Sequence, residues 1–394
     1  MQISNKYIVE GIVFISYVLF AMAWVGGTAS MSQIMLSMQV DSFASASFIS
    51  GSVTLAKIVG TFMAAWLASK LGIKYAFFMA CILTAVGIIT PFADNYEILL
   101  ASRFLMGLGG ALMIVYFNPI VMNWFNAGQR PTVNGINAVA FNVGTAIILW
   151  TMLDINEVTG SWQNSLLIFS IASLVLAIAW LFVRFDKTES ANPESGGDVE
   201  PAVASYSYVD GLKDKFTWAY AFTYSGLLAF YICLFTFYPK AGISQSKWVI
   251  GFGIVGTLAG IIYSKKFPNR VPVIRWSGLI MVITIIGLSF STSPLVQTLS
   301  AITLGFFIFF PVTALVTLPH ELPKMTPQKI TVVFSLFWSI SYLFSTIVLW
   351  IFGKMVDANN GDFTAAFILI TLISSTFFIG SFFLPETNQS KETA

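Results

Sequence analysis

Charge is what this sequence has least of. Asp, Glu, Lys and Arg together make up 10% of its 394 residues, against roughly 25% in an ordinary soluble protein. So few charges cannot cover the surface of a water-soluble globule of this length, which excludes a soluble enzyme. A hydrophobic content of 57% excludes a disordered chain. Cysteine is nearly absent too. Cys81 and Cys233 sit in separate apolar runs, so no disulfide framework is readable and a secreted disulfide scaffold is excluded. The single histidine, His320 beside Glu321, supplies too few ligands for a metal site, and no metal or cofactor is expected. A net charge of +2 gives no basis for a nucleic-acid partner.

What the sequence has instead is long apolar runs. About 20 such residues cross a bilayer as a helix. Twelve runs meet that length: 8–29, 43–67, 75–93, 97–120, 131–153 and 162–184, then 216–238, 248–264, 272–291, 295–318, 329–352 and 364–384. They are continuously apolar rather than alternating, which excludes a transmembrane β-barrel. The first run follows Lys6 and is longer than a signal-peptide core, so it is expected to be retained. Gly72, Pro131, Gly160, Pro268–Asn269 and Pro323 punctuate the runs. With the amino terminus placed in the cytoplasm, fifteen of the twenty Lys and Arg fall on that side, while only Lys240, Lys247 and Lys354 fall outside. The asymmetry predicts twelve helices with both termini cytoplasmic.

The longest polar stretch, about 185–215, holds Asn192–Pro193, Gly196–Gly197 and several acids without an apolar period. It reads as a cytoplasmic linker between halves 1–184 and 216–394. Basic loops of similar form follow span two (Ala68 to Lys74) and span eight (Ser264 to Arg270). Parallel six-helix repeats of this kind suggest alternating access around a central site.

Three motifs carry a family resemblance over essentially the whole chain. Ala65-Trp66-Leu67-Ala68-Ser69-Lys70-Leu71-Gly72-Ile73-Lys74 resembles the loop 2–3 signature of the major facilitator superfamily, with Ser69 where the family usually has Asp. Arg103-Phe104-Leu105-Met106-Gly107-Leu108-Gly109 resembles its fourth-helix signature, and Leu384-Pro385-Glu386-Thr387 its ending after the twelfth helix. The resemblance implies an all-α membrane fold of two pseudo-symmetric six-helix bundles, in a bacterial inner membrane and monomeric. Two further stretches look most like the cyanate and nitrate/nitrite permease branches. They are Asn134-Gly135-Ile136-Asn137 through Asn142-Val143-Gly144, and Thr326-Pro327 through Ser341-Tyr342 ahead of Gly353. The nitrate porters' helix-eight Arg has no counterpart in span eight, so nitrate is not the expected substrate.

Two charges lie inside the apolar runs, and each costs at least about 2.5–3.5 kcal/mol on insertion scales. Lys57 is near mid-depth in span two, and Arg103 is shallower in span four. No clearly embedded carboxylate accompanies them; Glu10 occupies the first turns of span one, and Glu321 lies just beyond span ten. Two buried cations without anions point to a small anionic substrate as their partner. Arg103 could instead be satisfied by backbone carbonyls or by snorkelling, and Lys57 could be a solvated lysine of the cavity wall. Asn134, Asn137 and Asn142 share span five and either brace helix packing or line the path. Trp24, Tyr231, Trp338 and Tyr342 could shape a pocket or simply fill the core. Gly107, Gly109 and Gly110 read as close-packing positions rather than a phosphate loop.

The expectation is therefore a secondary transporter for a small organic anion. Lys57 and Arg103 would be its contacts, and a coupling proton or counter-ion remains open. The alternative is a proton-coupled efflux pump for amphipathic or cationic compounds, which would need an embedded carboxylate. A receptor or scaffold fits the buried charges less well, and no nucleophile–base pair suggests an enzyme.

Overall fold

The computed structural model describes residues 3–126, 129–185, 206–323 and 325–386. Most of the expected linker, 186–205, and Thr387 onward lie outside the described residues. Among the described residues, twelve helices are long and apolar enough to cross a membrane. The first six are α1 (Lys6–Ala29), α2 (Phe43–Ala64), α3 (Trp66–Phe92), α4 (Tyr96–Trp124), α5 (Thr132–Thr159) and α6 (Trp162–Leu181). The second six are α7 (Lys215–Phe237), α8 (Ser246–Lys266), α9 (Val271–Phe290), α10 (Pro294–Glu321), α11 (Lys329–Ala358) and α12 (Thr364–Phe383).

Local chemistry sets the ends of these helices. Asn5, Asn95, Ser161 and Thr326 accept backbone N–H groups of the first turns of α1, α4, α6 and α11 with their side chains, which satisfies donors that a helix start leaves open. Helical geometry breaks at Gly72, whose φ of 74° is strained for any residue with a side chain. Pro311 interrupts α10 between Phe309 and Val312, because a proline ring cannot donate and clashes with the preceding turn. Glu386, in the carboxyl-terminal motif, accepts the Arg270 and Val271 N–H groups at 2.9 and 3.1 Å and so caps α9.

Segment 185–215 carries a short helix where it is described. This helix, Tyr208–Lys213, forms because Ser207 and Asp210 cap each other reciprocally. The Ser207 backbone N–H, then its hydroxyl, hold the Asp210 carboxyl below the usual carboxylate range.

The halves repeat one packing scheme. α1 packs on α5 and α2 on α4; six helices later α7 packs on α11 and α8 on α10. The repeat reaches single glycines. Gly107 of α4 sits against Val53 and Ala56 of α2, and Gly305 of α10 against Val249 of α8. A β-carbon at either site would enter the facing helix, so these close approaches require glycine.

Candidate functional site

The cores of the two halves face each other across a central cavity of about 680 Å³. Trp24, Lys57, Asn137, Asn142, Tyr231, Trp338 and Tyr342 all line it. Residues near the helix ends on the amino-terminal face, including Asn118, Asn134, Lys265, Arg270 and Thr317, also line it, so the cavity extends toward that face. Its lining holds three cations (Lys57, Lys265 and Arg270) and no Asp or Glu.

The opposite face is closed by contacts between the halves. Thr54 of α2 and Thr346 of α11 share a hydroxyl hydrogen bond of 2.6 Å. Lys240, just after α7, donates to the Ala29 carbonyl at 2.9 Å; burial pushes its ammonium down to about 8. The Trp24 indole donates to Ser50 Oγ at 3.2 Å and packs edge-on to Phe235 of α7.

Lys57 stands at the inner end of the cavity, only 3% exposed. Its Nζ lies 3.4 Å from Tyr17 Oη. It also lies 5.2–5.8 Å from the ring centres of Phe20, Tyr342, Trp24, Tyr17 and Phe141. Each such cation–π contact contributes about 0.5–2 kcal/mol. None of the ion pairs among the described residues involves it. The cage is built by spacing. Tyr17, Phe20 and Trp24 recur at three and four residues on α1, so one stripe of that helix faces Lys57.

The other expected residues divide. Asn142 accepts a 2.8 Å hydrogen bond from the Tyr231 hydroxyl, joining α5 to α7. Trp338 and Tyr342 stack with ring centres 5.8 Å apart, as their four-residue spacing implies. Asn137 is 3% exposed and neither of its side-chain polar atoms finds a partner.

Arg103 lies apart from these residues. It is 1% exposed and does not line the cavity. Its guanidinium donates to the carbonyls of Ile49 at 2.6 Å, Trp24 at 2.8 Å and Ala23 at 3.5 Å. α1 and α2 converge beside α4 at this depth, and their carbonyls take the donors an anion was expected to take. Sequence reasoning also passed over Tyr17, Phe20, Phe141 and Tyr224, though the three-four spacing on α1 was a usable signal.

At the amino-terminal face, Arg270 makes a two-pronged ion pair with Glu321 at 2.6 and 2.9 Å. That bonding raises the guanidinium above its ordinary value.

The sequence matches the Major Facilitator Superfamily over residues 13–349. The chain belongs to that superfamily. As a member it is a transporter, not an enzyme, and a multi-pass integral membrane protein. An uncharacterized protein of Campylobacter jejuni is 32% identical over 273 residues, which cover 66% of this chain and 82% of that one. A hexuronate transporter of Bacillus subtilis is 25% identical over 229 residues, covering 54% and 53%. The xylose transporter of E. coli in an inward-open conformation superposes with a TM-score of 0.75 over 98% of both chains, at 15% identity. The E. coli fucose:proton symporter does so with a TM-score of 0.63 over 97% and 100%, at 16% identity. These structural likenesses establish the fold.

Proposed function

We propose that this superfamily member moves a small organic anion by alternating access, with a carboxylate as the recognised group. The carrying observation is Lys57, a buried cation with no acidic partner at the inner end of a cavity whose lining has no carboxylate. A ligand carboxylate would pair with that ammonium and accept from the Tyr17 hydroxyl beside it. The amides of Asn137 and Asn142 and the faces of Trp24, Tyr231, Trp338 and Tyr342 would shape the rest of the pocket. Arg103 is assigned to the scaffold. The distant hexuronate transporter is named for a sugar carboxylate, and the resemblance to the cyanate and nitrate/nitrite permease branches is also to anion carriers. Efflux of an amphipathic cation draws on the aromatic lining, but the Lys57 ammonium already fills the aromatic cage and repels a second cation.

The same reading makes the protein a monomer in a bacterial inner membrane. Segment 185–215 joins halves 1–184 and 216–394 on the cytoplasmic side with both termini. An impermeant thiol reagent added outside intact cells should then leave a Ser195→Cys variant unlabelled.

The test of the substrate class is thermal stabilisation of the purified full chain. D-Glucuronate and D-galacturonate are the carboxylate probes, D-xylose the neutral one, tetraphenylphosphonium the cation and nitrate the small inorganic anion. A ligand that binds the folded state raises its melting temperature. Protection by a sugar acid that disappears in Lys57→Met is expected. Protection by the cation with none by either carboxylate would overturn the reading.

A further inference from the structure

A second polar site lies on α1, about two turns toward the amino terminus from Tyr17. Glu10 is 9% exposed, and both carboxyl oxygens are buried without a hydrogen-bond partner. The polar side chain facing it is Asn137 of α5, which lies within reach of the Glu10 carboxyl; in the arrangement seen, its buried amide nitrogen and oxygen make no hydrogen bond of ordinary geometry. Four orphaned polar atoms on two adjacent residues are costly in a membrane interior, at about 1–3 kcal/mol for each unsatisfied group.

The neighbouring charges are committed elsewhere. Lys6, one turn earlier on α1, gives its ammonium to Gln129 Oε1 at 2.9 Å. Arg130, just before α5, donates to the carbonyls of Phe125 and Met122 at 3.0 Å each. Lys57 lies beside Tyr17, whose residue number places it about 10 Å farther along α1 at 1.5 Å per residue. None of the ion pairs among the described residues involves Glu10.

Donor counting decides what the pair can hold. An ionised carboxylate only accepts, and a carboxamide has one N–H₂ group and one oxygen. With Glu10 ionised, the amide can donate to the carboxylate, but the amide oxygen receives nothing. With one proton added, the carboxyl O–H donates to Asn137 Oδ1 and Asn137 Nδ2 donates to the carboxyl C=O. This closed pair of hydrogen bonds serves both residues, and only the protonated form balances it.

We propose that Glu10 and Asn137 form a proton-binding site beside the central cavity, in which the proton is held on Glu10 and Asn137 pairs with the protonated carboxyl. Asn137 itself lines that cavity, so the site opens to whichever face the cavity opens to. The step is reversible addition of one proton to a carboxylate oxygen. Its use in transport rests on the anion reading above: an anion at Lys57 and a proton at Glu10 would cross together. The proton site itself does not depend on that reading.

The first measurement is infrared spectroscopy of the substrate-free full chain in lipid nanodiscs at neutral pH. The wild type should show the carbonyl band of a protonated carboxylic acid, shifted in D₂O. The band should be lost in Glu10→Gln and displaced in Asn137→Leu. Glu10→Gln should fold normally, because a glutamine amide can form the same two hydrogen bonds with Asn137. A wild-type spectrum without such a band, or one that Glu10→Gln leaves unchanged, overturns the proposal. So does a melting temperature raised by Na⁺ but not K⁺ and insensitive to Na⁺ in Glu10→Gln, which would make this a sodium site. The second measurement is D-glucuronate flux in proteoliposomes. Glu10→Gln should keep exchange but lose its stimulation by an inward proton gradient. Failure of all glucuronate exchange beside a positive infrared result would fault the substrate reading and leave the proton site standing.

Discussion

The carboxylate of Asp357, at the end of α11, accepts the backbone N–H of Phe43, the first residue of α2, at 2.7 Å. Its second oxygen accepts the Ala44 N–H at 2.9 Å. Gly353, one turn earlier, lets the α11 backbone meet Phe43 and Ala44 directly. A carboxylate on a helix start is favourable twice over, through the open N–H groups and the helix dipole. Because α2 and α11 belong to different halves, this contact must break when the cavity opens to the opposite face. It is a latch on the closed side.

Removing that latch should release the closed face. Hydrogen bonds to charged groups contribute about 1.5–3 kcal/mol each, so Asp357→Ala should shift the conformational ratio at least about tenfold. A cysteine at Ser50, in a background lacking Cys81 and Cys233, reports the change. Ser50 is buried behind the latch, so its labelling by an impermeant thiol reagent should rise in Asp357→Ala. Unchanged labelling would show that the latch carries no weight.

Lys240 makes the same closure sensitive to pH. Burial depresses its ammonium from 10.5 to about 8, and its acceptor, the Ala29 carbonyl, belongs to the other half. Opening returns the group to water and to its ordinary value. Between those values the open state binds more protons than the closed one, so closure is favoured as pH rises from about 8 to 10.5. Below about 8 both states hold the proton and the dependence vanishes. Spin-label distances across the closed face should follow that window in the wild type and stay flat in Lys240→Met.

Lys57 gives a prediction that separates binding from folding. Lys57 has no acidic partner among the described residues, and Met keeps the apolar contacts with the aromatic cage while removing the cost of a desolvated charge. Lys57→Met should therefore melt at or above the wild-type temperature while losing protection by sugar acids. A fall in melting temperature with protection retained would make the cation–π cage a structural device.

Much of this was legible in the sequence for one reason: a bilayer demands contiguous apolar length, and length is visible in a single chain. All twelve helices, the break at Gly72 and the mid-depth position of Lys57 follow from it. What stayed hidden were partners supplied by backbone. Arg103 meets carbonyls of Ile49 and Trp24, 54 and 79 residues away, and a backbone carbonyl has no signature in the sequence. Glu10 was visible, but its neighbour Asn137 lies on another helix, so their joint lack of partners appears only in three dimensions. The helix at Tyr208–Lys213 hid for a smaller reason, since one capping box is a weak signal within a polar stretch.

Gly27 and Arg103 provide the test of scaffolding. A β-carbon at Gly27 would land on Arg103 Nη1, so this α1 position is kept bare by the guanidinium docked against it. Arg103→Lys can hold one of the two short carbonyl contacts but not both, because they lie on different helices and an ammonium has no fork. The loss should be about 1.5–3 kcal/mol, with sugar-acid affinity unchanged in the protein that folds. Gly27→Ala should also destabilise, by pushing the guanidinium off its carbonyls. If that is its mechanism, it costs little once the guanidinium has gone, and the double variant should be clearly more stable than the sum of the singles implies. A double-mutant cycle on melting free energies reads that difference directly. Additivity would mean that Gly27 serves some other contact, and lost affinity in a well-folded Arg103→Lys would return Arg103 to the binding site.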